Sequence, residues 1–193
     1  MVRISGGRLG SVNFEAIETA RLIVRPICVN DAEAFAKLPS SPGALAISIE
    51  HARNSIAMAE DALRRRDCIL IVLIEKASNR LLGFFAASRS KDTEIGDLHY
   101  HIAEEFRGRG YMSEAGPAAL KLAEEFLAIS EFEAMVNADN APSIAVLKRI
   151  GFMLAGEWVP PVPIVGRGGP CLRFVRNSEV AREETTTRSS PTT

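Results

Sequence analysis

From Glu105 to Met112 the chain runs Glu-Phe-Arg-Gly-Arg-Gly-Tyr-Met, with a strand pattern before it and a helical pattern after it. A glycine-rich turn feeding a helix leaves backbone amides facing outward at the positive end of the helix dipole, and that arrangement binds phosphate oxygens. Gly108 and Gly110 permit backbone angles that other residues resist and let a ligand come close to the chain. Arg107 and Arg109 add positive charge beside them. Other phosphate motifs fit less well. A P-loop closes on Lys followed by Ser or Thr, and no such pair follows here. A dinucleotide fingerprint needs glycine at the position of Ser113. An arginine–glycine segment for nucleic acid is repeated and disordered, whereas this one is single and lies between two regular elements. The remaining alternative is a glycine turn with no ligand.

A second segment bears on that choice. It reads Asn140-Ala141-Pro142-Ser143-Ile144-Ala145-Val146-Leu147-Lys148-Arg149-Ile150-Gly151-Phe152. Together the two segments resemble the GNAT acetyltransferase superfamily, most closely its ribosomal-protein N-terminal acetyltransferase-like branch. Arg107–Met112 is similar to that branch's Q/R-x-x-G-x-G/A turn, with Met112 standing where Gly or Ala is usual. Asn140, Ser143, Gly151 and Phe152 are similar to its N-x-x-S…GF segment, about thirty residues further on. Thr19–Pro26 resembles its first strand. The resemblance covers roughly residues 17–176 and implies an α/β fold with a mixed, mostly antiparallel central sheet, splayed in the middle and flanked by helices. It also implies acetyl-CoA as co-substrate. The amides of Arg107, Gly108, Arg109, Gly110, Tyr111 and Met112 would hold its pyrophosphate. The pantetheine arm would lie between the strand ending at Ile102 and the strand Phe132–Val136. Asn140 would hydrogen-bond that arm, and Ser143 would reach the thioester sulfur. A serine in the first turn of a helix also commonly satisfies helix amides, so Ser143 carries two readings.

The implied reaction is attack of a primary amine on a thioester. A lysine amine has a pKa of about 10.4 and an α-amino group about 7.7–8.0. At neutral pH the lysine lies about three pH units from its reactive form, a penalty of about 4 kcal/mol, and the α-amino group only about one unit. A general base helps both, the lysine more. The resemblance puts a carboxylate at the start of the strand before the turn, and counting back from Arg107 without a gap reaches Asp97 in Asp97-Leu98-His99-Tyr100-His101-Ile102. In a regular strand Asp97, His99 and His101 share one face, so each is a candidate base. Glu94 is the alternative if the register shifts. The His-x-His pair lacks a third ligand, so no metal site is expected.

Positioning these groups requires a series of strands and helices. Arg21–Arg25 reads as a strand ended by Pro26. Asn30 to Glu33 reads as a capping box opening a helix to Leu38, with Asn30 taking an amide and Glu33 reaching back. Residues 48–66 form a longer helix ending in three arginines, which suit the negative end of its dipole. Strands Ile69–Glu75 and Leu81–Ala87 are joined by a turn at 77–80. A strand Asp97–Ile102, a helix Ser113–Leu127, a strand Phe132–Val136 and a helix Pro142–Ile150 follow, with proline at a position where its missing amide costs nothing. Phe152–Trp158 and Cys171–Arg176 close the sheet, with a long loop between them at about 159–170 that either flanks the acceptor or simply connects. Residues 1–14 read as a flexible arm, 15–178 as the N-acetyltransferase domain and 179–193 as a disordered polar tail.

The totals set bounds. The chain has 193 residues, of which 47% are apolar and 24% charged, the composition of a globular domain with a real core. A formal net charge of −1 argues against a nucleic-acid partner, which would need a basic excess. Cys28, Cys68 and Cys171 are few, odd in number and widely spaced, which suits a reducing, cytoplasmic compartment. The N-terminus has no apolar signal segment, and no apolar run approaches the ~20 residues of a membrane helix. The expected partner is an amine acceptor, a peptide N-terminus or a small molecule. Both monomer and homodimer stay open. A non-catalytic acyl-CoA-binding module on the same fold is the alternative function, and the presence of both Asn140 and Ser143 favours the enzyme.

Overall fold

Alternating apolar residues build the sheet strand by strand, and two helical layers cover its faces. The computed structural model describes residues 3–9, 12–38, 47–90, 93–159 and 170–177. In chain order the elements are β1 (Arg3–Leu9), β2 (Val12–Glu18), β3 (Leu22–Pro26), α1 (Ala32–Ala36), α2 (Ile49–Arg64), β4 (Cys68–Glu75), β5 (Leu81–Arg89) and β6 (Gly96–Ile102). They continue with α3 (Tyr111–Leu127), β7 (Glu131–Asn137), α4 (Ala141–Arg149), β8 (Met153–Trp158) and β9 (Cys171–Asn177). Among the described residues nine strands form one sheet in the order β1-β2-β3-β4-β5-β6-β7-β9-β8. Every neighbouring pair is antiparallel except β6 and β7, which are parallel.

One face of the sheet carries Leu22, Ile71, Phe85, Leu98, Phe132 and Phe174, packed with Leu120 and Ala123 of α3 and Leu147 of α4. The other face is covered over β4 by α1 and α2, through Ala32, Ala36, Ala52 and Ile56 against Val72 and Ile74. β4 is therefore buried on both sides, and its continuous apolar run follows from that. Further along this second face β6, β7 and β9 carry Asp97, Glu133 and Arg173.

The parallel pair is short. Gly96 stands opposite Phe132 and Asp97 opposite Glu133, and the register goes no further. β6 stays bonded to β5 along its whole length, and β7 to β9, so the two halves of the sheet diverge into a V. Phe132 is fully buried and fills the closed end; a Cβ on Gly96 would lie 2.6 Å from its ring. This is the splay that the resemblance implies between the strand ending at Ile102 and the strand through Phe132–Val136.

Two expectations need correction. Residues 1–14 are not simply a loose arm, because 3–9 and 12–18 form the antiparallel pair β1–β2, joined to β3 through Ile17 opposite Val24. The cap near residue 30 is built two residues earlier than the Asn30–Glu33 reading. Asp31 reaches back to accept from the Cys28 amide at 2.8 Å and is held by both terminal nitrogens of Arg25 at 2.8 and 2.7 Å. An acid that can also meet the half-buried Arg25 fork outcompetes Asn30 for the role. The expected tail from 179 and most of the 159–170 loop lie outside the described residues.

Gly83 stands opposite Ile102, where β6 leaves the sheet, and a Cβ there would lie 2.1 Å from the backbone oxygen of His101. A backbone atom cannot rotate aside, so Gly83→Ala must part β5 from β6. Overpacking of this kind costs about 1–3 kcal/mol, and thermal unfolding should show a Tm several degrees below the parent. An unchanged Tm would mean that β5 has slack at this point.

Candidate active site at the open end of the sheet

Both chemical segments lie at the mouth of the V. β6 runs through a short 3-10 turn, Glu104–Phe106, into the glycine turn, and α3 begins at Tyr111. Gly108 and Gly110 have φ of +73° and +77°, the left-handed region that glycine enters without strain. The first helix amide bonded back along the chain is that of Glu114, to the Gly110 oxygen at 3.0 Å. The amides before it lack a partner within the helix and sit at its positive end. The side chains of the turn point elsewhere. Met112 is buried in the core beneath α3, which explains why a large residue is tolerated in place of Gly or Ala. Tyr111 donates its hydroxyl to Glu75 and lies under the Arg21 guanidinium at 4.4 Å. Arg107 turns back, its Nε donating to the Ile102 oxygen at 3.0 Å, while Arg109 lies over the Phe106 ring. The turn would therefore meet a ligand mainly through backbone amides, with arginine charge around them.

The opposite rim is the start of α4, which follows directly from β7. The Asn140 side-chain oxygen accepts from the Ser143 amide at 3.2 Å, so Asn140 is the helix cap. The capping alternative for Ser143 thus falls to Asn140, and the serine hydroxyl is not the cap. Pro142 sits in the first turn, where no amide is needed. From β6, Tyr100 reaches across the V and donates to the Ser143 backbone oxygen at 3.1 Å. Burial pushes the Tyr100 phenol upward, so it stays protonated and holds the rim.

Asp97, His99 and His101 do share one face of β6, but its cover changes along the strand: His99 is exposed, whereas His101 lies against Phe84, which itself packs on Phe35 of α1. Asp97 is half-buried beside Glu133, its partner across the parallel pair. Burial and then the Glu133 carboxylate push the Asp97 carboxyl above its ordinary range, while His99 pulls the other way. Glu133 is itself tied to Arg173, whose Nε donates at 2.6 Å. His101 is buried, stacked on Phe84 with centroids 5.8 Å apart, and its Nε2 has no hydrogen-bond partner among the described residues. Burial, reinforced by Arg107, pushes its pKa down and keeps the ring neutral. Glu94 sits before β6 in an exposed ion pair with Arg89 at 2.7 Å, away from the carboxyl pair.

A family model described as an acetyltransferase (GNAT) domain matches residues 21–153, well over half of the chain. The chain belongs to the GNAT acetyltransferase family. As a GNAT protein it is an acyltransferase. It is 22% identical over 139 residues to the L-amino acid N-acetyltransferase AaaT of Escherichia coli, covering 71% of this chain and 86% of that one. Its fold is similar to a ribosomal-protein alanine acetyltransferase from Vibrio fischeri, with a TM-score of 0.74 and 18% identity, covering 85% of this chain and 97% of the other. It is also similar to RimL, a ribosomal α-N-protein acetyltransferase solved with coenzyme A, with a TM-score of 0.71 and 20% identity, covering 84% and 98%. Among the described residues no helix is long and apolar enough to cross a membrane.

The fold adds residues that the motifs did not supply. Arg21 and Glu114 brace the turn, Tyr100 braces α4, and Glu133 with Arg173 completes the carboxyl cluster. None has a local signal, because each meets its partner through strand register or across the sheet.

The Asp97 carboxyl gives a pH signature. Its folded pKa is above its unfolded value of about 3.9, so between the two the folded state keeps a proton that the unfolded state has lost. That stabilising proton is fully present below the unfolded pKa and lost as pH rises through the folded one. Asp97→Asn, which carries no charge at any pH, should therefore raise Tm at pH 8, with the gain shrinking towards pH 4.5. A gain independent of pH would show that Asp97 is not strained by burial and Glu133.

Proposed function

We propose that this GNAT protein transfers the acetyl group of acetyl-CoA to a primary α-amine by direct attack of the amine on the thioester. The observation that carries the reading is the V between β6 and β7, with a cluster of helix-start amides on one rim and Asn140 and Ser143 on the other. The pyrophosphate would rest on the amides of residues 107–112. The pantetheine arm would enter between the splayed strands, whose inward backbone groups have lost each other as partners. Asn140 uses its side-chain oxygen to cap α4, which leaves its amide nitrogen to donate to the arm.

The acetyl group would then point at the face that carries Asp97 and the exposed His99. The free amine attacks the carbonyl carbon, the carbon–sulfur bond breaks, and the thiolate takes a proton. A Ser143 hydroxyl near the sulfur would supply or relay it. Freed amides of β6 offer donors to the developing oxyanion. Asp97 would accept the proton shed by the ammonium, directly or through water. A carboxyl with a raised pKa is a better match for that task than an ordinary one. The acceptor class is read from chemistry and from relatives. An α-amino group needs only modest help from a base. AaaT is named for amino acids and RimL for protein α-amines, both of which present such a group. With Cys28, Cys68 and Cys171 free, we place the protein in the cytoplasm.

The test is release of free thiol when the protein is mixed with acetyl-CoA and a panel of amino acids, N-terminal peptides and polyamines. Turnover is expected with α-amines, and acetyl-CoA alone should raise Tm by mass action. Gly110→Val places a β-branched residue at φ +77° and should abolish that Tm shift. Intact acetyl-CoA binding in this variant would remove the turn from the site.

Ser143→Ala and Asp97→Asn should separate in kinetics. The serine variant should lose kcat by about 10- to 100-fold with little change in acetyl-CoA affinity, because its contact is made mainly as the sulfur leaves. The Asp97 variant should lose kcat/KM for the amine and regain part of it at high pH. Full activity in the serine variant would leave proton delivery to solvent or Tyr100.

A further inference from the structure

One arginine outside both motifs holds the glycine turn from the side. Arg21 lies just before β3, and its backbone amide and Nε donate to the two carboxylate oxygens of Glu114 at 2.7 and 2.6 Å. Its Nη1 donates to the backbone oxygen of Arg109 at 3.0 Å, and its guanidinium covers the Tyr111 ring. Thr19 adds a hydroxyl bond to Glu114 at 2.5 Å. Partial burial alone would push the Glu114 carboxyl upward, but the bonds from Thr19 and Arg21 hold it below the ordinary range, so the clamp stays charged. The Arg21 side chain thus touches residues 109, 111 and 114 together, from the start of β3.

The turn needs such a restraint. Two glycines in the left-handed region give it a large conformational freedom to lose. The bond to Arg109 has a further effect. Were the helix to begin one residue earlier, that oxygen would accept from the Ser113 amide; here it accepts from Arg21, and the first amide bonded back is that of Glu114.

We propose that Arg21 is a positioning residue for the donor's pyrophosphate, pre-forming the amide cradle through Arg109, Tyr111 and Glu114. The proposal rests on the reading of residues 107–112 as the pyrophosphate site. Pre-organisation of this kind strengthens binding because the ligand need not order the loop. The effect belongs to the pyrophosphate end of the donor, so it should depend on whether the donor has one.

The experiment compares acetyl-CoA with S-acetylpantetheine, a thioester that lacks the pyrophosphate. In the parent protein kcat/KM should strongly favour acetyl-CoA. Arg21→Ala should shrink that preference about tenfold, through the KM for acetyl-CoA rather than through kcat. Arg21→Lys should recover little of it, since an ammonium can sit over Tyr111 but cannot bridge Glu114 and the Arg109 oxygen together. Should Arg21→Ala fail to fold, Glu114→Gln removes the clamp charge alone and should shift the same ratio in the same direction. Equal losses with both donors, an unchanged ratio, or full recovery by lysine would each overturn the role of Arg21. If the parent shows no preference for acetyl-CoA, the site reading itself fails instead.

Discussion

The two-residue parallel pairing of β6 and β7 is the constraint on which the rest depends. Parallel neighbours need a long crossover, and α3 supplies it across the core face. The crossover must start where β6 ends, so the N-terminus of α3 falls on one rim of the V. β7 ends on the other rim, and α4 starts there. Phe132 packs so closely on Gly96 at the far end that a Cβ there would meet its ring. Past Asp97 and Glu133 the facing backbone groups lack their sheet partners, and buried groups of that kind require others. A slender ligand that carries its own amides and carbonyls, as a pantetheine thioester does, suits such a gap.

Charge is distributed around this opening in a way that the net value of −1 conceals. At the turn, Arg21, Arg107 and Arg109 gather about the helix N-terminus, balanced by Glu75, Glu105 and Glu114. At the closed end, on the opposite face, Asp97 and Glu133 lie side by side with Arg173 against them. In the proposed reaction the donor's pyrophosphate would meet the amides of the turn and the amine would meet the carboxyls at the closed end, so the two would not compete for the same groups. Burial first, and then the Glu133 carboxyl in the neighbouring strand position, raise the Asp97 carboxyl above its ordinary range.

How much could be read in advance depended on how local each interaction is. The glycine turn, the proline and cap at the start of α4, and the apolar period of most strands are set by neighbours within about four residues. They appear where the spacing puts them, with ends shifted by one or two positions. Asp97, His99 and His101 share a face because a strand alternates, and that alternation is a local rule. Met112 and Asp31 show the limit: the first turned inward because the core beneath α3 had room for it, and the second took the cap because Arg25 stood ready beside it.

The sequence by itself therefore determined the elements from β3 onward and the two chemical segments. Tertiary structure decided which of those residues meet. Glu114 finds Arg21 at a separation of 93 residues, and Arg173 finds Glu133 at 40, through sheet order and register that no window of neighbouring residues encodes. The β1–β2 pair, the divergence of β6 from β7 and the Asp97–Glu133 contact have the same origin. Each depends on how long strands stay bonded, and that is fixed by packing across the whole sheet rather than by the propensity of any one segment.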